Sequence, residues 1–327
     1  MKRILTIVVT ALAAVLGVYA QNDAQFTQYY QVPTLYNPAA VGQTDFIKLR
    51  GAGRLQWVGI DGAPKTFLFT GDMPFKLMNR RFGTGLVLQQ ESIGLYKSLN
   101  LGAQLGYKIK KFGGEFTVGL QIGMIDQRFQ GSEVYIPTPD GDEYHEGTDE
   151  GIPMHDLHGT ALDLGAGIFY NHKKWWAGIS ATHLSGPTIT MGGENGEQTT
   201  DENIYEFKAN RTLYFMGGGN IPLKNTLFEV MPSVLVKTDF SFTTAEFTAR
   251  ARYNKFLSFG LGYRWDDAII ATVAAEIKNF YIGYSYDYAT SSIHSASSGS
   301  HEIVVGYQLK LNLGEKNRNR HRSIRFM

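Results

Sequence analysis

Three groups of side chains in this chain are of the types that do chemistry. His155, His158 and His183 could act as metal ligands or as a general base, and a hydrolase would add a serine and an acid. Such a triad is defined by its geometry, and no recognisable spacing ties these histidines to a nucleophile. The second group is the acidic run from Gln127 to Thr160, with Glu133, Asp140, Asp142, Glu143, Glu146, Asp149, Glu150 and Asp156 and no lysine or arginine after Arg128. Oxygen-rich loops can hold calcium, but PDGDEYHE at Pro139 to Glu146 lacks EF-hand spacing and reads as a solvated external loop. The third is Asp287, set among the alternating Tyr284, Tyr286 and Tyr288. A buried carboxylate requires a partner, and Arg264 or Arg250 is expected to supply it. The chain has no cysteine, which excludes disulfides, thiol catalysis and cysteine metal sites. It also carries no P-loop or dinucleotide fingerprint. No catalytic residue, metal ligand or cofactor is therefore assigned.

What must position these groups is a set of about fourteen short segments between Phe46 and Leu311 in which apolar residues alternate with small or polar ones. Phe116, Val118, Leu120, Ile122 and Met124 share one face, and Thr117, Gly119, Gln121 and Gly123 share the other. Likewise Leu257, Phe259, Leu261, Tyr263 and Trp265 oppose Ser258, Gly260, Gly262 and Arg264, and Ile303, Val305, Tyr307, Leu309 and Leu311 oppose Glu302, Gly306, Gln308 and Lys310. One such segment would suit a soluble sandwich. So many, with polar faces rich in Gly, Ser, Thr and Gln, indicate an all-β fold: a transmembrane antiparallel outer-membrane barrel of about 14 strands.

The strands are placed near Phe46 to Trp57, Thr66 to Asp72, Gly83 to Gln90, Ser98 to Lys110, Glu115 to Asp126, Ala161 to Tyr170, Lys174 to Leu184, Thr212 to Ile221, Glu229 to Thr238, Ala245 to Tyr253, Phe256 to Trp265, Ala268 to Ile277, Asn279 to Tyr286 and Glu302 to Leu311. Connections after the fifth, seventh and thirteenth strands are long, and those after the fourth, sixth, eighth, tenth and twelfth are a few residues each. That parity matches short periplasmic turns and long external loops, and it places both termini on the periplasmic side.

Residues 1–20 have the basic start, apolar run and small residues of a secretory signal, with cleavage expected after Ala20. Residues 21–45 form an N-terminal segment without sustained period, which either plugs the lumen or lies beneath it. Inward Gly165, Gly167, Gly260, Gly262, Gly283 and Gly306 would make room for such a plug, or would merely permit wall curvature. The barrel then spans 46–312, and a basic periplasmic tail, 313–327, carries Arg318, Arg320, Arg322 and Arg325. The net charge of +1 argues against a nucleic-acid partner.

QFTQYYQVPTLYNPAAVG at Gln25 to Gly42 resembles a motif of the PorP/SprF proteins of the type IX secretion and gliding machinery of Bacteroidota, and it contains Gln25, Phe26, Tyr29, Asn37 and Pro38. The likeness continues through QWVGIDGAPKT, with Gln56, Trp57, Pro64 and Lys65, then QQESIG at Gln89 to Gly94 and PSVLVK at Pro232 to Lys237. It closes with GYSYDYATSS, containing Tyr284 and Asp287, SHEIVVGY, containing His301 and Glu302, and SIRF at Ser323 to Phe326. The family usually has Asn-Asp where this chain has Gln90 and Glu91. The resemblance implies a non-enzymatic barrel in the cell outer membrane that helps export or hold adhesin-like cargo at the surface. It also implies periplasmic ring and lipoprotein partners, beside the outer-membrane lipid. From the residues themselves, Gln56 to Thr66 is the first external turn, with Trp57 at the interface, and reads either as a structural corner or as a cargo contact. The alternative function is a porin or transporter for small solutes. A barrel enzyme would need Ser, His and acid converging on one outward patch.

Overall fold

The computed structural model describes residues 23–135, 152–193 and 205–311. The signal segment, residues 136–151 of the acidic loop and the basic tail lie outside these residues. In chain order the strands are β1 (Phe46–Leu55), β2 (Lys65–Leu77), β3 (Arg80–Ile93), β4 (Tyr96–Lys111), β5 (Gly114–Phe129), β6 (Leu157–Asn171), β7 (Trp175–Thr182), β8 (Thr188–Gly193), β9 (Tyr205–Lys208), β10 (Thr212–Gly219), β11 (Ile221–Pro222), β12 (Phe228–Thr238), β13 (Thr243–Tyr253), β14 (Leu257–Arg264), β15 (Ala268–Ile277), β16 (Phe280–Ala289) and β17 (Ser300–Lys310). All but β8, β9 and β11 belong to one closed antiparallel barrel of 14 strands. Closure is made by β1 against β17, from Phe46↔Lys310 to Leu55↔His301. Across the second long connection, β7 pairs with β10.

Lipid exposure follows the alternation. Leu120, Ile122, Leu261 and Ile303 are exposed, and their strand neighbours Thr117, Ser258, Arg264 and Glu302 are buried in the lumen. Among the described residues no helix is long and apolar enough to cross a membrane. Exposed aromatics gather near the strand ends, with Phe228 against Tyr253 and Phe280 against Tyr307 at one end and Tyr263 against Trp265 at the other. Such girdles sit at the two interfaces of outer-membrane barrels. The tightest turns take left-handed backbone: Met78 and Asn79 have φ of 48° and 60°. Two positive φ values give the turn whose twist matches a two-residue hairpin.

The alternation does not reveal β8 and β9. These strands lie in the connection after β7, which reads from sequence as loop because its alternating stretch is short and flanked by Gly186, Pro187, Gly192 and Gly193. They form a hairpin, Thr188↔Lys208 to Met191↔Tyr205, that joins the end of β6 through Leu157↔Gly193. Ile125, Phe129, Leu157, Ile189 and Met191 bury one another there, so the barrel wall extends into a packed external ridge.

Candidate functional site

The lumen is filled by residues of the segment before β1. Phe26, Tyr29, Val32, Tyr36, Ala39 and Ala40 form the main apolar cluster of the molecule with wall residues such as Leu68, Tyr214, Leu235 and Val304. Two short 3₁₀ turns and one helical turn (α1, Pro33–Tyr36) fold the segment, with Pro33 and Pro38 at first helical positions where the missing N–H is no loss. Asn37 caps the last turn by accepting the Ala39 N–H at 2.8 Å. It also ties the segment to the wall, donating to the carbonyls of Ile168 and Ile179.

The segment runs the length of the barrel. Asp23 and Thr27 lie among side chains at the long-loop end, and Gly42 and Asp45 meet Asp72 and Arg81 near the short turns. The expectation that both termini lie on the periplasmic side is corrected at the first described residue, since Asp23 lies at the external end. The segment's polar backbone has to find partners inside the lumen, and wall side chains reach inward to supply them.

The densest contacts surround Thr27. Its hydroxyl donates to Asp287, at 2.8 and 2.9 Å from the two carboxylate oxygens, and accepts from Arg54 Nη1 and Arg264 Nη2, each at 2.9 Å. One hydroxyl with two acceptor sites and one proton is thereby saturated. Glu302 accepts the Thr27 and Gln28 N–H groups at 2.7 and 2.8 Å. Gln25 reaches Glu246 at 3.1 Å. The wall completes the cluster with Arg54–Asp287 at 2.7 Å, Arg264–Glu246 at 2.8 Å and Arg264–Asp287 at 3.1 Å. These side chains are at most 3 % exposed.

Arg264 is thus one partner of Asp287, as the sequence suggests. Arg250 is not: its guanidinium lies 3.2 Å from the ring centroid of Tyr30. Arg54, Thr27 and Glu246 are the members sequence reasoning misses. The signal that could have found them is register, which sets Arg54 opposite Glu302 and Glu246 opposite Arg264 on inward faces.

A second cluster holds the start of the segment. His183, just past β7, contacts Asp163 through Nδ1 at 3.0 Å and Asp23 through Nε2 at 3.1 Å. Tyr214 donates to Asp23 at 2.5 Å, and the Lys237 ammonium donates to the Asp23 carbonyl at 2.6 Å. Burial alone would push the imidazole down, but Asp23 and Asp163 outweigh it and push His183 up to about 10. Both ring nitrogens are occupied by carboxylates, so His183 has none left to activate a serine. Its raised pKa stabilises the fold fully below the unfolded value, about 6.5, and that contribution is lost as pH rises through about 10. His183→Gln is therefore expected to lower the denaturation midpoint at pH 7. The gap from wild type should narrow as pH passes about 10 in parallel urea titrations.

The remaining motif residues take structural places. Tyr29 donates to Ser233 at 2.9 Å, and the Phe26 N–H donates to the Tyr36 hydroxyl at 2.8 Å. The Gln56 N–H donates to the Pro64 carbonyl at 2.9 Å, and the Trp57 N–H donates to Ser300 at 3.1 Å. Trp57 is half-buried at φ 50°, in a turn stitched to the 290–299 connection through Val58 and Gly299. Lys65 is exposed at the start of β2. Tyr284 and His301 face outward, their side chains 2.7 Å apart. Among the described residues no cluster of His, Cys, Asp or Glu could hold a metal.

The glycine expectation divides. A Cβ on Gly167 or Gly283 would overlap Asn37 or Gln28, but one on Gly165, Gly260, Gly262 or Gly306 would meet only the wall. Gly83 and Gly119 make further room, against Val41 and Ala39. Gly119→Val is expected to cost about 1–3 kcal/mol through overpacking, read as a lower denaturation midpoint and faster proteolysis within the segment. Gly165→Ala, where the added carbon finds ordinary contacts at 3.4 Å, should leave both unchanged.

With this geometry in place, comparison with known proteins is informative. Residues 18–307 match the family model described as type IX secretion system membrane protein PorP/SprF. The chain belongs to the PorP/SprF family. A PorP/SprF protein is a component of type IX secretion, and this one is an outer-membrane barrel. No curated protein matches it. Among solved structures it is similar to the Pseudomonas putida toluene transporter TodX, with 11 % identity, 88 % of this chain and 94 % of that one covered, and a TM-score of 0.47. It is also similar to the Ralstonia pickettii toluene transporter TbuX, with 13 % identity, 86 % and 94 % covered, and a TM-score of 0.46. For the translocator domain of the autotransporter NalP from Neisseria meningitidis the values are 10 %, 81 %, 87 % and 0.42.

Proposed function

We propose that this PorP/SprF protein serves type IX secretion as a closed docking barrel, binding adhesin-like cargo on its external face and holding it at the surface. The supporting observation is the filled lumen: among the described residues, a segment held by buried ion pairs and an apolar cluster occupies it along its length. Binding then falls to the two ends. The external end has the packed ridge of β8 and β9, whose apolar cluster stiffens it and lowers the ordering cost of association. The periplasmic end presents the turns to ring and lipoprotein components of the machine, and gliding motility would depend on the same cargo. Catalysis has no part in this reading.

The test is a deletion strain complemented with either the intact protein or a variant whose residues 188–208 are replaced by a short Gly-Ser turn. Cargo is expected to co-purify with the intact barrel, and surface display should be lost in the deletion and the ridge variant. Normal export and display in the deletion strain, with no cargo on the purified barrel, would overturn the proposal.

A further inference from the structure

Two recesses open at the short-turn end of the lumen and share Thr44. The smaller, about 190 Å³, is lined by Gln31, Lys48, Arg50, Glu276, Tyr281 and Gln308. Lys48 and Arg50 are two residues apart on β1, so both side chains point inward from the same face. Arg50 is 8 % exposed. Its Nη1 donates only to main-chain carbonyls, Leu49 at 3.1 Å and Tyr307 at 3.5 Å, and its buried Nε has no hydrogen-bond partner. The guanidinium lies 5.8 Å from the Tyr281 ring centroid.

Among the described residues neither cation forms a close ion pair with a carboxylate, although the Asp72 charge acts on both. Asp72 stands opposite Lys48 in the β1–β2 register without forming an ion pair with it, and accepts the Gly42 N–H instead. Glu276 is taken by Arg252 at 3.4 Å. Arg54 and Arg264, on the same inward face at the other end, are each satisfied by carboxylates. A buried guanidinium with no ion-pairing acid, beside an ammonium and facing a cavity, distinguishes this end of the lumen from the Arg54–Arg264 cluster.

We infer that Lys48 and Arg50 form a binding site for a phosphate-type oxyanion at the periplasmic mouth of the barrel. The open edge of a guanidinium presents parallel N–H donors that match two oxygens of such a group, and the ammonium adds a point charge. Two cations match a phosphate monoester, whose charge is about −1.5 to −2 at neutral pH, better than a single carboxylate. The volume suits it too, since water occupies about 30 Å³ in the liquid. The larger recess, about 760 Å³, carries Lys110, Lys111, His172 and Lys173. Its acids are already engaged, Asp45 by Arg81 and Glu115 by Lys108. It forms a cationic approach that raises the local anion concentration. This inference is independent of the cargo proposal.

The experiment is titration of the purified full-length protein in detergent with inorganic phosphate, followed by calorimetry, with sodium acetate at equal ionic strength as the comparison. A parallel arm uses bicelles with and without an anionic phospholipid. Saturable phosphate binding is expected, at least tenfold weaker in Arg50→Gln and in Lys48→Gln. Lys48 is half-exposed, and its variant guards against a folding defect in the other. Heat-modifiable migration on gels checks that both variants are folded. Binding confined to the lipid arm and lost in both variants would support the site with a headgroup as its source. Equal affinity for acetate, or binding that is absent or unaltered in the folded variants, would overturn it.

Discussion

Arg54→Ala is expected to lower the unfolding free energy of the barrel by about 3–5 kcal/mol, the cost of stripping one partner from a buried ion pair. The arginine contacts Asp287 at 2.7 Å and Glu302 at 3.3 Å and donates to Thr27 at 2.9 Å, all buried at the external end of the lumen. Its loss leaves Asp287 with Arg264 and the Thr27 hydroxyl, and Glu302 with the Thr27 and Gln28 N–H groups. Solvent cannot replace the missing charge while the segment stays packed. Thr27→Val tests a different link of the same cluster. It keeps the shape and removes one hydroxyl, so its expected cost is about 1–3 kcal/mol. Urea titrations in detergent measure both, and limited proteolysis should show residues 23–31 released first. If Arg54→Ala unfolds at the wild-type urea concentration, the buried cluster is not what fixes the segment.

Much of the barrel is legible because each strand has to satisfy two solvents at once. Lipid on one side and a polar lumen on the other force the one-for-one alternation of Phe116 to Met124, and closure forces an even number of such strands. The ridge of β8 and β9 escapes this logic because neither face meets lipid, so Thr188–Gly193 carries only a short, glycine-ended trace of period. The segment before β1 is visible as a motif from Gln25 to Gly42, but its place is not. Its burial depends on wall residues far along the chain, and no local pattern encodes that Tyr29 will meet Ser233 or that Asn37 will meet Ile168. Asp287 shows the same divide. Its need for a cation follows from its being a carboxylate on an inward face, but the choice of Arg54 and Arg264 over Arg250 depends on how β1 closes against β17 and on where Tyr30 lies. The phosphate-type site proposed at Lys48 and Arg50 is harder still to see in sequence, because its mark is an ion pair that these two residues do not make.

Deleting residues 23–41 is expected to convert a silent barrel into a conducting one. Eight-stranded barrels fill their interiors with their own side chains, whereas barrels of about 16–18 strands leave an aqueous channel. Fourteen strands lie nearer the second case, and inward residues such as Gly83, Gly119, Gly167 and Gly283 widen the lumen where the segment passes. The segment therefore fills space that a barrel of this size would otherwise leave to water. In planar bilayers the wild-type protein should show no steps, and the deleted protein should show stepwise ionic conductance. Folding need not fail, because an unpaired buried charge is costly only where water is excluded. Once the segment is gone, water reaches Asp287, Glu302 and Glu246, and the site that punishes Arg54→Ala becomes an ordinary hydrated wall. Arg54→Ala introduced into the deleted protein should accordingly cost much less than it does in the intact one. A wild-type protein that conducts as well as the deletion would mean that the segment does not seal the lumen, and the solute-transporter reading would take its place.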